Sequence, residues 1–179
     1  MIILRPVTAS DARLLAELHI ESWRVAYRGL LRDDYLDGDI EPERIAVWSQ
    51  RLQALAPTHF GFVAEDDGHP VGFAFLYGAH DTQWGTLLDN LHVRPALRGG
   101  GIGRLLLEAS AAETARRYPG APLHLFVYEE NASARAFYAR MGGREVERQV
   151  KEQPDGGLLA DWRVVWDDPA TLGPRATAV

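Results

Sequence analysis

Polar and apolar positions change their spacing several times along the chain, and each change marks an element. Ile2 to Arg5 alternate and predict a first strand. Leu14, Leu15, Leu18 and Trp23 then recur at helical spacing, and Thr8 followed three residues later by Asp11 is a capping box that starts this helix. The polar run 33–38 predicts a loop or short turn. Residues 41–55 predict a second helix with Pro42 in its first turn, where the missing N–H is no loss. Two β-type runs, 60–65 and 71–77, flank Asp66-Asp67-Gly68-His69 and predict a hairpin.

Residues 87–93 are a buried-type strand that feeds a glycine-rich turn. A helix over 103–117 follows, closed by Pro119-Gly120, then a strand over 123–127 and a helix over 131–141 stopped by Gly142-Gly143. Runs 144–151 and 158–166 flank Pro154-Asp155-Gly156-Gly157 and predict a second hairpin. Strand–helix–strand crossings force parallel pairs, whereas hairpins force antiparallel ones. The expected fold class is therefore α/β (α+β). It is a single domain over 1–167, with a mixed, mostly antiparallel sheet, a central parallel pair and about four flanking helices. Residues 168–179, rich in Pro, Ala and Thr, are expected to be a flexible tail.

The glycine turn carries the chemistry. Of the five residues Gly99, Gly100, Gly101, Ile102 and Gly103, four lack a side chain, and they sit where a helix begins. The first N–H groups of a helix have no internal partner, and with the dipole they make an anion site suited to phosphate. A P-loop is excluded, because the only lysine is Lys151. The dinucleotide fingerprint fails too, since its third glycine would fall on Arg104 or Leu106.

What does fit is Arg98-x-x-Gly101-x-Gly103, preceded by Val93-x-Pro95 and followed by Leu105-Leu106-Leu107. This resembles motif A of the GCN5-related N-acetyltransferase (GNAT) superfamily. Asn131-x-x-Ala134-x-x-Phe137-Tyr138-x-x-x-Gly142 resembles its motif B, and Ile3-x-Arg5-Pro6, Ser22-Trp23 and Tyr27-Arg-Gly-Leu30 match many bacterial members. The resemblance spans about residues 2–166. It implies an enzyme that moves an acetyl group from acetyl-CoA to a primary amine, on a small molecule or on a protein or peptide. A non-catalytic acyl-CoA-binding module is the alternative.

Composition narrows the partners. The formal net charge of −6 argues against nucleic acid and favours cationic amines. No apolar run reaches the ~20 residues of a membrane span, and the N-terminus lacks the features of a signal peptide. With no cysteine, no disulfide or thiol nucleophile is available, and a cytoplasmic location is expected. Attack by the amine is then direct, within a ternary complex. The histidines show no metal-ligand spacing, so no metal is expected.

Residue roles follow from the resemblance. Main-chain groups of Leu91, His92 and Val93 would hold the pantetheine arm and thioester. Residues Arg98 to Arg104 would wrap the pyrophosphate, with Arg98 paired to phosphate or simply to a surface acid. Asn131 caps its helix and would also contact the coenzyme, and Tyr138 would protonate the leaving thiolate. The general base is open. Where many members carry a glutamate this chain has Leu87. Asp89 lies two residues on and so on the same face, His92 lies on the opposite face, and neither is required if the amine binds neutral. Tyr27 and Tyr35 are candidates to touch the acceptor. Homodimers are common in the superfamily, and Trp162 and Trp166 on the last hairpin are the candidate interface.

Overall fold

The computed structural model describes residues 1–172. Its elements run β1 (Ile2–Pro6), α1 (Ala12–Ala26), α2 (Asp33–Leu36), α3 (Glu41–Gln53), β2 (His59–Asp66), β3 (His69–Asp81), β4 (Gly85–Val93), α4 (Ile102–Arg117), β5 (Leu123–Tyr128), α5 (Ala132–Arg140), β6 (Arg144–Glu152) and β7 (Leu158–Trp166). The strands form one sheet in the order β1-β2-β3-β4-β5-β7-β6, in which only β4 and β5 run parallel. The mixed α/β class with a central parallel pair is thus as expected.

Alternation along β3 divides the core. Phe73 and Phe75 face α1 and α3, where they meet Leu15, Leu18 and Trp48. Ala74 and Leu76 face the other way, onto Leu106, Leu107 and Ala111 of α4. The stripe of α1 buries Leu15, Leu18 and Trp23 as predicted, and also His19 and Ser22, which lie over β4. No helix among the described residues is long and apolar enough to cross a membrane.

Four expectations need correction. The run 33–38 contains a one-turn helix, a fifth one, whose Leu36 is fully buried and whose acids Asp33 and Asp37 are both gripped by Arg28. Strands β3 and β4 extend beyond 77 and start before 87, because Asp81 Oδ1 closes their hairpin by accepting the Gln83 and Trp84 amides. Trp166 is core, 4% exposed, with its indole N–H on the Met141 carbonyl at 2.9 Å, so it offers no interface. Pro169–Leu172 form a 3-10 turn that buries Pro169 and Leu172, so the packed chain runs past the expected end. The remainder of the expected tail lies outside the described residues.

The predicted capping box has a further consequence. The Asp11 carboxylate accepts the Thr8 amide at 2.7 Å and both terminal nitrogens of Arg5 at 2.9 and 2.8 Å, while only 5% exposed. Removing it leaves the Thr8 amide and one terminal nitrogen of Arg5 without a partner, while Arg5 keeps Glu65 at 2.7 Å and the Pro6 carbonyl. Asp11→Ala is expected to cost roughly 2–4 kcal/mol of stability, measured by guanidinium unfolding. A loss below about 0.5 kcal/mol would contradict this account.

Candidate active site

Parallel pairing of β4 with β5 is short: only Thr86 with Leu123 and Leu87 with His124 are in register. Beyond these the two strands share no ladder, and a cleft of about 630 Å³ lies between the C-terminal parts of β4 and β5, α4 and α5. The Arg94 amide bonds to Val71 on β3 at 2.9 Å. By the two-residue period of a strand, the main-chain groups of Leu91 and Val93 then point away from β3, toward the cleft. This backbone is what an extended ligand can pair with.

The glycine turn closes one end of that cleft, and its glycines do different work. Gly99 and Gly101 hold φ of +84° and +87°, which only glycine adopts freely. Gly103 has ordinary helical geometry, but a side chain there would reach Phe137, Val93 and Leu91. Gly99, Gly101, Gly103, Arg98 and Arg104 line the cleft, whereas Gly100 does not and Ile102 is turned into the core. Arg98 pairs with no acid among the described residues and donates instead to Ser22 Oγ at 3.0 Å. Arg140, at the end of α5, is a further lining cation that the sequence motifs do not single out. Bare amides, a helix N-terminus and unpaired arginines suit a diphosphate-bearing ligand.

From α5, Asn131 Oδ1 caps the helix on the Ala134 amide at 3.1 Å and lines the cleft. Tyr138 is 9% exposed. Burial, and then Tyr27, push its phenol above the usual value near 10, and no hydrogen bond among the described residues holds its hydroxyl. It is therefore a protonated phenol facing the cleft, suited to donate rather than accept.

Strand β4 breaks its alternation where the base was sought. Phe75 pairs with Asn90 but Leu76 pairs with Leu88, so Asp89 is an extra, bulged residue. The bulge turns Asp89 to the same side as Asn90, and Arg51 of α3 bonds both, at 2.9 and 3.2 Å. Asp89 and His92 therefore share a face, contrary to the expectation from simple alternation.

His92 does not suit a base. Burial, and then the Arg98 charge, push its imidazole down to about 3. His92 Nδ1 shares a hydrogen bond with Ser22 Oγ at 3.0 Å, and the same oxygen accepts from Arg98. His92 stacks on His19, ring centroids 4.6 Å apart, and His19 Nδ1 accepts the Trp48 indole N–H at 3.1 Å. His19 is pushed well below 6.5, mainly by burial, and His124, buried and held by Arg163, to about 4.

These three imidazoles make stability pH-dependent. They take protons near pH 6.5 when unfolded but resist them when folded, so the unfolded state gains protons as pH falls. Stability is full above about 6.5 and drops on acidification toward 4, by up to ~1.4 kcal/mol per pH unit for each histidine. Unfolding free energies at pH 7.5, 6.0 and 5.0 measure this, and a flat profile would refute it.

A second cleft, of about 310 Å³, opens on the α1 and α3 side of β4. Both clefts are lined by Tyr27, Leu91, His92, Phe126, Tyr128 and Tyr138, so they meet there. Tyr27 sits at this junction, edge-on to Tyr128 at 4.8 Å, its phenol pushed up to about 12 by burial. Tyr35 is not brought to either cleft; its hydroxyl reaches Glu43 at 3.4 Å. Sequence motifs missed Arg44, Tyr128 and Asp161, which line the second cleft. Their only signal was polar character at positions whose burial comes from distant elements.

The parted strands, the glycine-lined helix start and the two meeting clefts define an N-acetyltransferase fold. The chain belongs to the acetyltransferase (GNAT) family, whose model matches residues 17–143, and it is an acetyltransferase. It is 28% identical over 176 residues to the uncharacterized N-acetyltransferase YuaI of Bacillus subtilis (strain 168), with 96% of each chain covered. An acetyltransferase from Thermus thermophilus is similar in structure at TM-score 0.65 and 26% identity, covering 93% of this chain and 96% of that one. So is PaiA N-acetyltransferase from Thermoplasma acidophilum, solved in complex with coenzyme A, at TM-score 0.70 and 20% identity, covering 92% and 98%.

Proposed function

We propose that the larger cleft binds acetyl-CoA and that the acetyl group passes to a primary amine in the smaller cleft by direct attack. The observation that carries this is the junction: both clefts open onto Leu91, His92 and Tyr138. Acetyl-CoA, when bound, supplies an activated thioester carbonyl. The amides of residues 99–103, the N-terminus of α4, Arg98 and Arg140 would hold the phosphates. Main-chain groups of Leu91 and Val93 would hold the arm, and an N–H of this strand would take the charge that builds on the carbonyl oxygen.

An amine with pKa near ~10 is mostly protonated at pH 7. Asp89 is the group to take its proton, directly or through one water, since His92 is neutral with its Nδ1 occupied. As the new N–C bond forms the C–S bond breaks, and the Tyr138 hydroxyl gives its proton to the departing sulfur. Leu87, where many members carry glutamate, is then no gap, because Asp89 lies two residues on and so on the same face.

Acetyl-CoA at about 100 times its dissociation constant should add roughly 2.7 kcal/mol of stability, visible as a thermal shift. Amine-dependent thiol release should accompany it, and CoA is the only thiol in the assay because the chain has no cysteine. Absence of any shift with millimolar acetyl-CoA would overturn the proposal.

A further inference from the structure

The smaller cleft is lined by cations as well as acids, and an amine acceptor alone gives the cations no task. Arg44, Arg51 and Lys151 all line it. Arg44, on α3, is 8% exposed, with its guanidinium over the Trp23 ring at 5.1 Å. Its one acid partner among the described residues is its chain neighbour Glu43, at 2.5 Å, whose side chain is half exposed. The Arg44 Nε is buried and has no partner among the described residues. A desolvated cation is costly unless it is paired and its donors are satisfied, and Arg44, though paired with Glu43, keeps one buried donor unmet.

Two further cations stand beside it. Arg51, two helical turns along α3, bonds only through Nη1, to Asp89 and Asn90. Lys151 Nζ lies over the Phe126 ring at 4.0 Å and joins no ion pair among the described residues. Three acids also line the cleft. Asp89 is engaged by Arg51, Glu152 is exposed, and Asp161 is 5% exposed with Oδ1 unpartnered. Both signs of charge are thus present, with two arginines on the α3 wall. The volume lies at the low end of the ~300–1,000 Å³ typical of small-molecule sites.

Resting on the acetyltransferase reading, we propose that the acceptor is a small amine that also carries a carboxylate, an amino acid being the simplest case. Arg44, aided by Arg51, takes the carboxylate, while the amine faces β4 and Asp89. A guanidinium presents a planar fork that matches a carboxylate, and an acceptor without one leaves the buried donor of Arg44 unmet, as it stands now. The chain's net charge of −6 points the opposite way, toward plain cationic amines, but it sums the whole surface and the cleft does not follow the sum.

The test compares acceptors that differ by the carboxylate alone: leucine with isopentylamine, phenylalanine with phenethylamine, lysine with cadaverine. The carboxylate-bearing member should be preferred about 100-fold in kcat/KM, because a site that pairs a substrate group rejects the analogue lacking it. Arg44→Gln should erase most of that preference by raising KM, and Arg51→Gln, a second variant on the same wall, should weaken it. Both variants should keep the acetyl-CoA thermal shift, which reports folding. Equal or better use of the plain amines, or a preference untouched by both variants, would overturn the proposal and leave Arg44 as a packing partner of Trp23. Where turnover is too slow, the same pairs are compared by thermal shift on the CoA-saturated protein, and no preference there overturns it equally. If acetyl-CoA itself gives no shift, the acetyltransferase reading fails first, and the two failures stay distinct.

Discussion

Gly103→Glu is expected to abolish acetyl-CoA binding while leaving the fold as stable as before. Gly103 is the second residue of α4, after the cap Gly101. An added Cβ would meet Phe137 at 3.7 Å, Val93 at 3.8 Å and Leu91 at 3.9 Å, which is ordinary contact. Replacing a helical glycine recovers roughly 0.5–1 kcal/mol, and an acid in the first turn suits the dipole. The same carboxylate would lie among the amides proposed for phosphate, where like charges repel. Affinity for acetyl-CoA should fall at least ~100-fold by calorimetry, about 2.7 kcal/mol, with the ligand-free melting temperature unchanged or higher. Gly103→Ala should bind nearly as wild type. Gly101→Glu is the poorer experiment, since φ of +87° makes any side chain strained there. A Gly103→Glu protein that still shows the full acetyl-CoA shift would mean the phosphates lie elsewhere.

Tyr138→Phe should lower kcat by roughly 100-fold or more, the range of a lost general acid, with little change in the KM for acetyl-CoA. The phenol is held above its usual pKa by burial and by Tyr27, so its proton is in place across the working pH range. No hydrogen bond to its hydroxyl is broken by the change, and the ring keeps its contacts with Phe137 and Trp166. Stability should therefore move by less than about 1 kcal/mol. If Tyr138 only packs, kcat will be intact. The split between an unchanged melting temperature and a collapsed kcat is what separates the two roles.

Much of this protein was legible in the order of its residues, because the governing physics is local. Helical spacing placed α1, α3 and α4, and turn residues placed both hairpins. Arg98-x-x-Gly101-x-Gly103 placed the glycine turn at the start of α4, since positive φ and bare amides are properties of a few consecutive residues. Asn131 as a cap follows from the same short range, whereas Tyr138 was singled out by the resemblance to motif B.

Tertiary structure decided the rest. The bulge that turns Asp89 onto the face of His92 is a matter of register between β3 and β4, and no count along β4 alone reveals it. The setting of His92 depends on Ser22 and Arg98, 70 residues away from it in one case and in the next loop in the other. Trp166 became core and Tyr35 missed the cleft because strand pairing and helix packing set which side of an aromatic meets solvent. Arg44 and Asp161 are buried only because α3 and β7 are folded against other elements. Spacing and turn chemistry determined the elements and the glycine turn that opens α4. Which charges lose their water, and so which can act on a substrate, is fixed by contacts between residues far apart in the chain, and only the folded sheet and its helices bring those together.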